Sequence, residues 1–394
     1  FNCCESEIPF LPLFIFDSSI LDKLENKSDS RVQFIHDQLS AMKEKLQRFG
    51  SDLRVYYGKP DEVWKEIISD FEIQDVFSNE DYEPYAIQRD KKIQKILDEQ
   101  GIGFVQFKDQ CIFSKNEILK KDGMPYTVFT PYKNKWYENL TPSHLMSVNN
   151  KKGLKKLIQI NPAPMIKLSQ LGFTVEKVNY TKGRLQNKLI ESYKDKRDIP
   201  SIAATSMLGL HLRFGTISIR KCVQAGYHAT EKTWLSELVW REFFMQILYH
   251  FPHVTKKPFK EKYSKIKWLN SKKEFIKWTE GMTGYPLVDA GMRELNATGH
   301  MHNRVRMVTA SFLVKHLLID WRWGEKYFAS KLLDYELSAN NGNWQWVAGT
   351  GCDAAPYFRI FNPETQQKKF DPDFLYIKKW VPEYGTDKYL SLIH

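Results

Sequence analysis

The feature that most restricts how this chain can fold is a change of rhythm along its length. Over about the first 130 residues, short apolar runs alternate with helical periodicities; from Gly183 onward the periodicity is helical almost throughout. Leu11-Pro-Leu-Phe-Ile-Phe-Asp17 is a near-continuous apolar run, as a strand buried on both faces requires. Arg31–Gly50 then sets Phe34, Ile35, Leu39, Met42 and Leu46 at helical spacing, with Gly50 as the stop. Strand Leu53–Tyr57, helix Asp61–Phe71, strand Asp75–Ser78, helix Pro84–Gln100 and strand Gly103–Phe107 continue the alternation, which predicts β-α-β units in a parallel sheet. No G-x-G-x-x-G or Walker-type loop follows a strand, which argues against phosphate sites of those kinds. Residues 131–187, interrupted by Asn149-Asn-Lys-Lys-Gly153 and Asn161-Pro-Ala-Pro164, read as a connection between domains. The expected organisation is an α/β domain over 1–130, a connection over 131–187 and a helical domain over 188–394.

Two compositional features bear on function. The 394 residues carry 58 basic and 47 acidic side chains, a net charge of +11, and 14% of them are aromatic. Residues 1–200 hold 31 basic and 29 acidic groups, whereas residues 201–394 hold 27 and 18. A basic second half suits a polyanionic partner, or else a generally lysine-rich soluble surface. Nine of the eleven tryptophans also lie beyond residue 230. Flat aromatics among positive charges fit stacked bases or a planar cofactor; a tryptophan-rich helical core is the competing reading. No window reaches the roughly 18 apolar residues of a membrane span, and no signal peptide is visible before Pro9. Five scattered cysteines with no C-x-x-C argue against a disulfide framework and for a reducing, cytoplasmic setting.

In the helical half, Trp234–Tyr249 places Glu237, Trp240, Arg241 and Phe244 on one face. Met307–Trp321 is apolar nearly all round and predicts one centrally buried helix. Leu333-Asp-Tyr-Glu-Leu-Ser-Ala-Asn-Asn-Gly-Asn-Trp-Gln-Trp346 is too polar for a core helix, so its polar groups must be satisfied against something else. Thr298-Gly-His-Met-His-Asn-Arg-Val-Arg-Met307 repeats the theme. His300 and His302 do not form an H-E-x-x-H pattern, and no zinc site is expected.

These two segments, with Trp234-Leu-Ser-Glu-Leu-Val-Trp-Arg-Glu-Phe-Phe244, Thr283-Gly-Tyr-Pro-Leu-Val-Asp-Ala-Gly-Met-Arg293 and Asp353-Ala-Ala-Pro-Tyr-Phe-Arg-Ile-Phe-Asn-Pro363, resemble the photolyase/cryptochrome family. The likeness is greatest to its class I members that repair cyclobutane pyrimidine dimers, and it runs in family order from about Tyr193 to Trp380. The resemblance implies an α/β N-terminal domain, Rossmann-like with a parallel sheet, and an all-α C-terminal domain that binds FAD. It implies that Tyr193, Thr205, Ser206, Met207, Leu208 and Gly209 meet the FAD diphosphate and ribose, beside Trp234 and Arg241. Asp334, Tyr335 and Glu336 would lie near its ribitol and flavin edge, with Asp334 paired to Arg306. Asn340 matches the residue facing flavin N5, where a neutral amide suits an anionic reduced ring better than a carboxylate would. Trp344, Trp321 and Trp268 match the family's electron-hopping chain. The resemblance also implies a lesion pocket in which Trp240 and Trp346 stack on the dimer and Glu237 bonds its base edge. Asn303, Arg304 and Met307 would line that pocket, and Arg197, Arg304 and Gln366 match DNA-contacting positions. Lys256, Lys257, Lys260, Lys262, Lys265 and Lys267 either extend this electrostatic footprint or form a solvated face.

Three departures stand out. The family's opening strand has no counterpart and Leu11–Asp17 matches the strand after it, so a partial chain is expected. The family's Thr-Ser-x-Leu-Ser reads Thr205-Ser-Met-Leu-Gly209, one hydroxyl fewer at the phosphate site. No antenna chromophore can be assigned; Glu83 and Lys133 are the candidate neighbours of one. The activity implied is light-driven splitting of a flipped-out pyrimidine dimer by an electron from reduced FAD, carried out by a monomer on UV-damaged DNA. A cryptochrome-like photoreceptor without repair activity is the alternative, and a nucleic-acid binder without photochemistry the third reading.

Overall fold

A computed structural model describes residues 8–146, 153–175, 180–354, 356, 359–386 and 389. The chain divides into two compact units, Phe1–Gln110 with Pro142–Lys182, and Cys111–Thr141 with Gly183–His394.

In the first unit, strands form at the apolar runs. β1 (Leu13–Asp17) pairs in parallel with β2 (Arg54–Gly58), Leu13 opposite Arg54 and Asp17 opposite Gly58. β3 (Asp75–Asn79) pairs in parallel with β4 (Gly103–Phe107). The expected single sheet is divided: among the described residues these are two separate two-stranded sheets. Helix α1 (Ser30–Gln47) starts at Asp29, whose carboxylate accepts the Arg31 N–H, and the chain turns beyond it at Gly50, φ +73°. Helices α2 (Pro60–Asp70) and α3 (Pro84–Asp98) each carry proline in the first turn, where its missing N–H costs nothing. A cavity of about 850 Å³ is lined by consecutive residues of and around β1 and β3, Leu11 to Ile15 and Gln74 to Asn79. Successive strand residues point to opposite faces, so consecutive lining means that the two strand edges, not two faces, border the cavity.

Part of the expected connection belongs to this unit's core. Leu157, Leu168, Leu171 and Phe173 pack with Phe16, Val32, Leu39 and Leu53. The Phe10 N–H donates to Lys156 O at 3.0 Å and its carbonyl accepts the Ile158 N–H at 3.1 Å. Buried Asp52 fixes the return, pairing with Lys43 at 2.5 Å and Arg54 at 2.9 Å while accepting the Ala163 N–H at 2.9 Å. The polar loop 149–152 lies outside the described residues.

The second unit is helical, and its helices include α4 (Phe129–Asn139), α5 (Thr233–His250), α6 (Lys272–Glu280), α7 (Pro286–Thr298), α8 (Asn303–Ser311), α9 (Trp321–Lys331) and α10 (Leu337–Ala348). Trp278, Leu295, Val305, Leu313, Trp321, Phe328 and Trp344 share one core. Two expectations need correction here. Met307–Trp321 is not one helix: α8 ends at Ser311, a π-type turn spans Phe312–His316, and Leu318 sits at φ +51°. Asp320 then caps α9, accepting the Arg322 N–H at 3.0 Å. The second correction is that the polar stretch before Trp346 does form a core helix, α10. Asn341 Nδ2 and Gln345 Nε2 both donate to Val254 O, at 3.0 and 2.9 Å, and Gln345 Oε1 accepts the Phe259 N–H at 2.8 Å. Asn341 and Gln345 are thus satisfied internally.

Helix α10 packs against both α5 and α9. A Cβ at Gly342 would overlap the Phe244 ring of α5, and one at Gly324 of α9 would overlap the Trp344 indole. Cys111, Cys222 and Cys352 are buried and form no disulfide among the described residues, Cys3 and Cys4 lie outside the described residues, and no described helix is long and apolar enough to cross a membrane. Because close-packed interiors resist added atoms, Gly342→Ala and Gly324→Ala should each lower unfolding stability by about 1–3 kcal/mol. Chemical denaturation checks this, and an unchanged midpoint in both variants would show that α10 can shift freely.

Candidate active site

The first turns of α5 present Glu237, Trp240 and Arg241 in succession. Glu237, half-buried, pairs with Arg197, whose guanidinium lies over the Tyr193 ring at 5.9 Å. Burial pushes the Glu237 acid above the usual carboxylate range against the pull of Arg197, and burial together with Glu237 pushes up the Tyr193 phenol. Arg304 pairs at 2.9 Å with Asp198, next in sequence to Arg197, and lies over the Phe370 ring at 4.4 Å. Asp198, unflagged by the sequence, thus links residues that the resemblance assigns to lesion and DNA. Arg304 Nε and Gln366 Oε1 are buried without a partner among the described residues. Asn303 is exposed at the start of α8 and Met307, one turn on, is half-buried. The α8 cap is His302, whose Nδ1 accepts the Arg304 N–H at 3.2 Å and whose pKa burial lowers to about 4. No group of three or more metal-binding side chains occurs among the described residues.

Trp240 has a stacking partner already. Phe129 lies parallel to it, centroids 3.6 Å apart at 9°, and Phe244 lies at 5.4 Å and 29°. Phe129 donates its N–H to Asp353 Oδ2 at 3.0 Å. Trp346 stacks near Phe361 at 6.3 Å. Residues 355, 357 and 358 of the 353–363 motif lie outside the described residues. Behind Trp240, Glu242 is fully enclosed. It accepts the N–H groups of Ile112 (2.7 Å) and Phe113 (3.1 Å), Trp136 Nε1–H (2.7 Å) and the Tyr132 hydroxyl (3.3 Å), tying residues 112–136 to α5. Burial raises its pKa to about 7, with those donors opposing. A Glu beside Arg241 reads as an exposed helix charge, which is why the sequence did not single it out.

A second cluster gathers where α10 begins. Arg241 donates from Nη2 to Leu212 O at 3.5 Å; burial lowers its pKa and the nearby Glu336 opposes. Glu336 is engaged as the α10 cap, accepting the N–H groups of Ser338 and Ala339. Ser206 Oγ accepts Trp234 Nε1–H at 3.4 Å and Ser206 O accepts the Arg184 N–H at 2.7 Å. Met207 takes φ +53°, with Thr205 Oγ1 3.3 Å from its sulfur. Leu208 is buried and Tyr335 packs on the core. Arg306 Nη2 donates to both Asp334 oxygens at 2.9 and 3.1 Å, and its Nε to Met301 O at 2.7 Å. Burial pushes Asp334 toward neutrality, but the Arg306 charge prevails and holds it below the usual range. A Cβ at Gly209 would lie 2.8 Å from Asp334 Oδ2, so the absent hydroxyl at this position goes with a close approach of the two segments. Asn340 Nδ2 donates to Glu325 O at 3.1 Å and Oε1 at 2.9 Å, which leaves Asn340 Oδ1 without a partner among the described residues. Burial raises the Glu325 acid and the Asn340 bond opposes it. Trp344 and Trp321 are buried in one core, with Trp268 partly buried at its margin. Lys133 lies over the Phe129 ring at 5.8 Å, and Glu83 precedes α3.

Residues 2–150 match the family model described as DNA photolyase, and residues 234–391 match that of the FAD binding domain of DNA photolyase. A deoxyribodipyrimidine photo-lyase of Vibrio cholerae is 41% identical over 327 residues, 78% of this chain and 70% of that protein. This chain belongs to the DNA photolyase family. Among solved structures, a class III photolyase from Agrobacterium tumefaciens matches with a TM-score of 0.84 and 34% identity, covering 95% of this chain and 81% of that one. An archaeal photolyase from Sulfolobus tokodaii, with two FAD molecules, matches at 0.80 and 35% identity over 95% and 84%. The Rossmann-like α/β and all-α FAD-binding parts expected from the sequence are those of this family. The FAD that membership implies finds suitable groups in the second unit: a desolvated guanidinium at Arg241, hydroxyls at Thr205 and Ser206, an ionised Asp334 and the unpartnered Asn340 Oδ1.

Glu242 gives this site a pH signature. The folded unit holds its proton up to about pH 7, whereas the unfolded chain releases it near 4.5. Its contribution to stability is therefore full below pH 4.5 and lost as pH rises to about 7. Glu242→Gln should remove that decline, seen as a flatter stability profile between those limits in denaturant titrations against wild type.

Proposed function

We propose that this photolyase-family chain splits cyclobutane pyrimidine dimers in DNA, a light-driven carbon–carbon lyase with reduced FAD as cofactor. The observation that supports this most is the succession on α5 of a burial-raised acid paired with Arg197, an indole backed by a parallel ring, and a desolvated guanidinium. A base edge, a base face and a phosphate group call for those three chemistries.

FAD, when bound, supplies light absorption and one-electron donation. The chain's own residues do the remainder. Arg241, Thr205 and Ser206 hold the diphosphate, and Asp334, kept charged by Arg306, accepts from hydroxyl groups. Glu325 takes both amide donations of Asn340, so the oxygen rather than the nitrogen of that amide is left for flavin N5. Being neutral, the amide adds no negative charge beside an electron-rich ring. Glu237, paired with Arg197, bonds the base edge of a pyrimidine, and the pair steadies charge that develops on its carbonyl. Trp240 and Trp346 offer stacking surfaces worth about 1–3 kcal/mol per base, against a flipping cost of a few kcal/mol. Arg197, Arg304, Gln366, Asn303 and Met307 bound the pocket. The lysines between 256 and 267 attract phosphate, each neutralised phosphate steepening the fall of log affinity with log salt by about 0.9. Trp344, Trp321 and Trp268 carry electrons inward when FAD needs reduction.

Illuminating the reduced, FAD-loaded protein with a thymine-dimer oligonucleotide should restore absorbance at the thymine band, and darkness should not. No restoration would leave the photoreceptor reading. Glu237→Ala should lower the yield of dimers split per photon far more than it lowers flavin content. Loss of flavin instead would move Glu237 to a structural role.

A further inference from the structure

We infer that a second electron-hopping branch, Trp344 to Trp278 to Tyr327, runs from the flavin side of the helical unit to its surface. The inference rests on Trp344 as the donor next to FAD and adds residues that neither the family resemblance nor the sequence selected. Among the described residues, the ring contacts of Trp344 are with Trp278 at 6.2 Å (72°) and Phe328 at 5.0 Å; Trp321 shares the core but not a ring contact. Trp278 in turn meets Tyr327 edge-on at 5.8 Å and 64°. The three oxidisable rings are thus in unbroken succession, with Phe328 and Phe275 filling the space beside them.

The chemistry of each position fits its place. Trp278 is fully buried and donates Nε1–H to the Thr309 carbonyl at 3.1 Å, so it has no route for losing that proton to water and can only relay charge. Tyr327 is half-buried, and its hydroxyl donates to Oδ1 of exposed Asn296 at 2.6 Å and lies 3.2 Å from Thr279 O. Burial raises the phenol pKa, with Asn296 opposing and Glu280 adding to the rise, so the group keeps its proton until it is oxidised. Lys331 Nζ stands over the Tyr327 ring at 5.7 Å and disfavours a charged ring, which couples loss of the electron to loss of the proton. Trp323 touches Phe275 at 5.2 Å rather than Trp278, which leaves Tyr327 as the terminus.

One electron passes from Trp344 to light-excited oxidised FAD; the vacancy on Trp344 is filled from Trp278 and that on Trp278 from Tyr327. The Tyr327 proton departs past Asn296 to water. The neutral phenoxyl radical is then reduced by hydrogen-atom donation from a thiol in solution.

Flash photolysis and electron paramagnetic resonance of the oxidised, FAD-loaded protein test this. Trp321→Phe should retain photoreduction and yield a tyrosyl signal. Trp321→Phe with Trp278→Phe should lose both and behave as Trp344→Phe does. Tyr327→Phe in the Trp321→Phe background, a change at a half-exposed ring, should abolish the tyrosyl signal while leaving a short-lived indole radical. Photoreduction in Trp321→Phe as low as in Trp344→Phe, with flavin content unchanged, would overturn the branch. If Trp344→Phe itself photoreduced normally, the placement of Trp344 would be at fault, and the branch would fall with it.

Discussion

The close approach of three helices at two glycines is the constraint on which the catalytic unit depends. Gly342 lets α10 meet the Phe244 ring of α5, and Gly324 lets the Trp344 indole press against the backbone of α9. An α-helix admits a ring at that range only where a side chain is missing. α10 carries the Glu336 cap, Asn340, Trp344 and Trp346, so its seat fixes all four together. The polar residues of α10 that face inward are bound to Val254 and Phe259, which removes the freedom to rotate about its axis. A reactive constellation inherits the rigidity of the elements that bear it, and here those elements are helices wedged at backbone distance.

The acids of this unit are treated unequally. Glu237, Glu242 and Glu325 are all pushed toward neutrality by burial. Asp334 alone of this set is held ionised, because Arg306 reaches both its oxygens. A fixed negative charge is thus held at Asp334, close to Gly209, while burial inclines the acid beside Asn340 toward its neutral form. An electron that must leave one ring for another meets less electrostatic opposition in such surroundings.

Much of the first unit was legible, because strands buried on both faces and amphipathic helices leave strong periodic signals. The division into two strand pairs was not, since nothing local to an apolar run says which neighbour it takes. Met307–Trp321 misled for a specific reason: burial all round made the run look continuous, and the Asp320 cap that restarts the chain was outweighed by it. The stretch before Trp346 misled in the opposite sense, because the carbonyl of Val254 that satisfies Asn341 and Gln345 lies 87 and 91 residues away. The site residues came from motif likeness rather than from pattern. Their supports Glu242, Glu325, Asp198 and Phe129 are defined by long-range contacts, and no spacing rule points to them.

The parallel ring of Phe129 against Trp240 has a consequence for recognition. An indole free to swing would surrender its rotamers when a guest arrived, at a cost of about 0.5–1.5 kcal/mol for such a side chain. Here that freedom is already gone, since Phe129 is itself tethered through its backbone to Asp353. The indole is thus set like a jig, and in the role proposed for it selectivity falls to the shape of what is presented to that ring rather than to its adjustment.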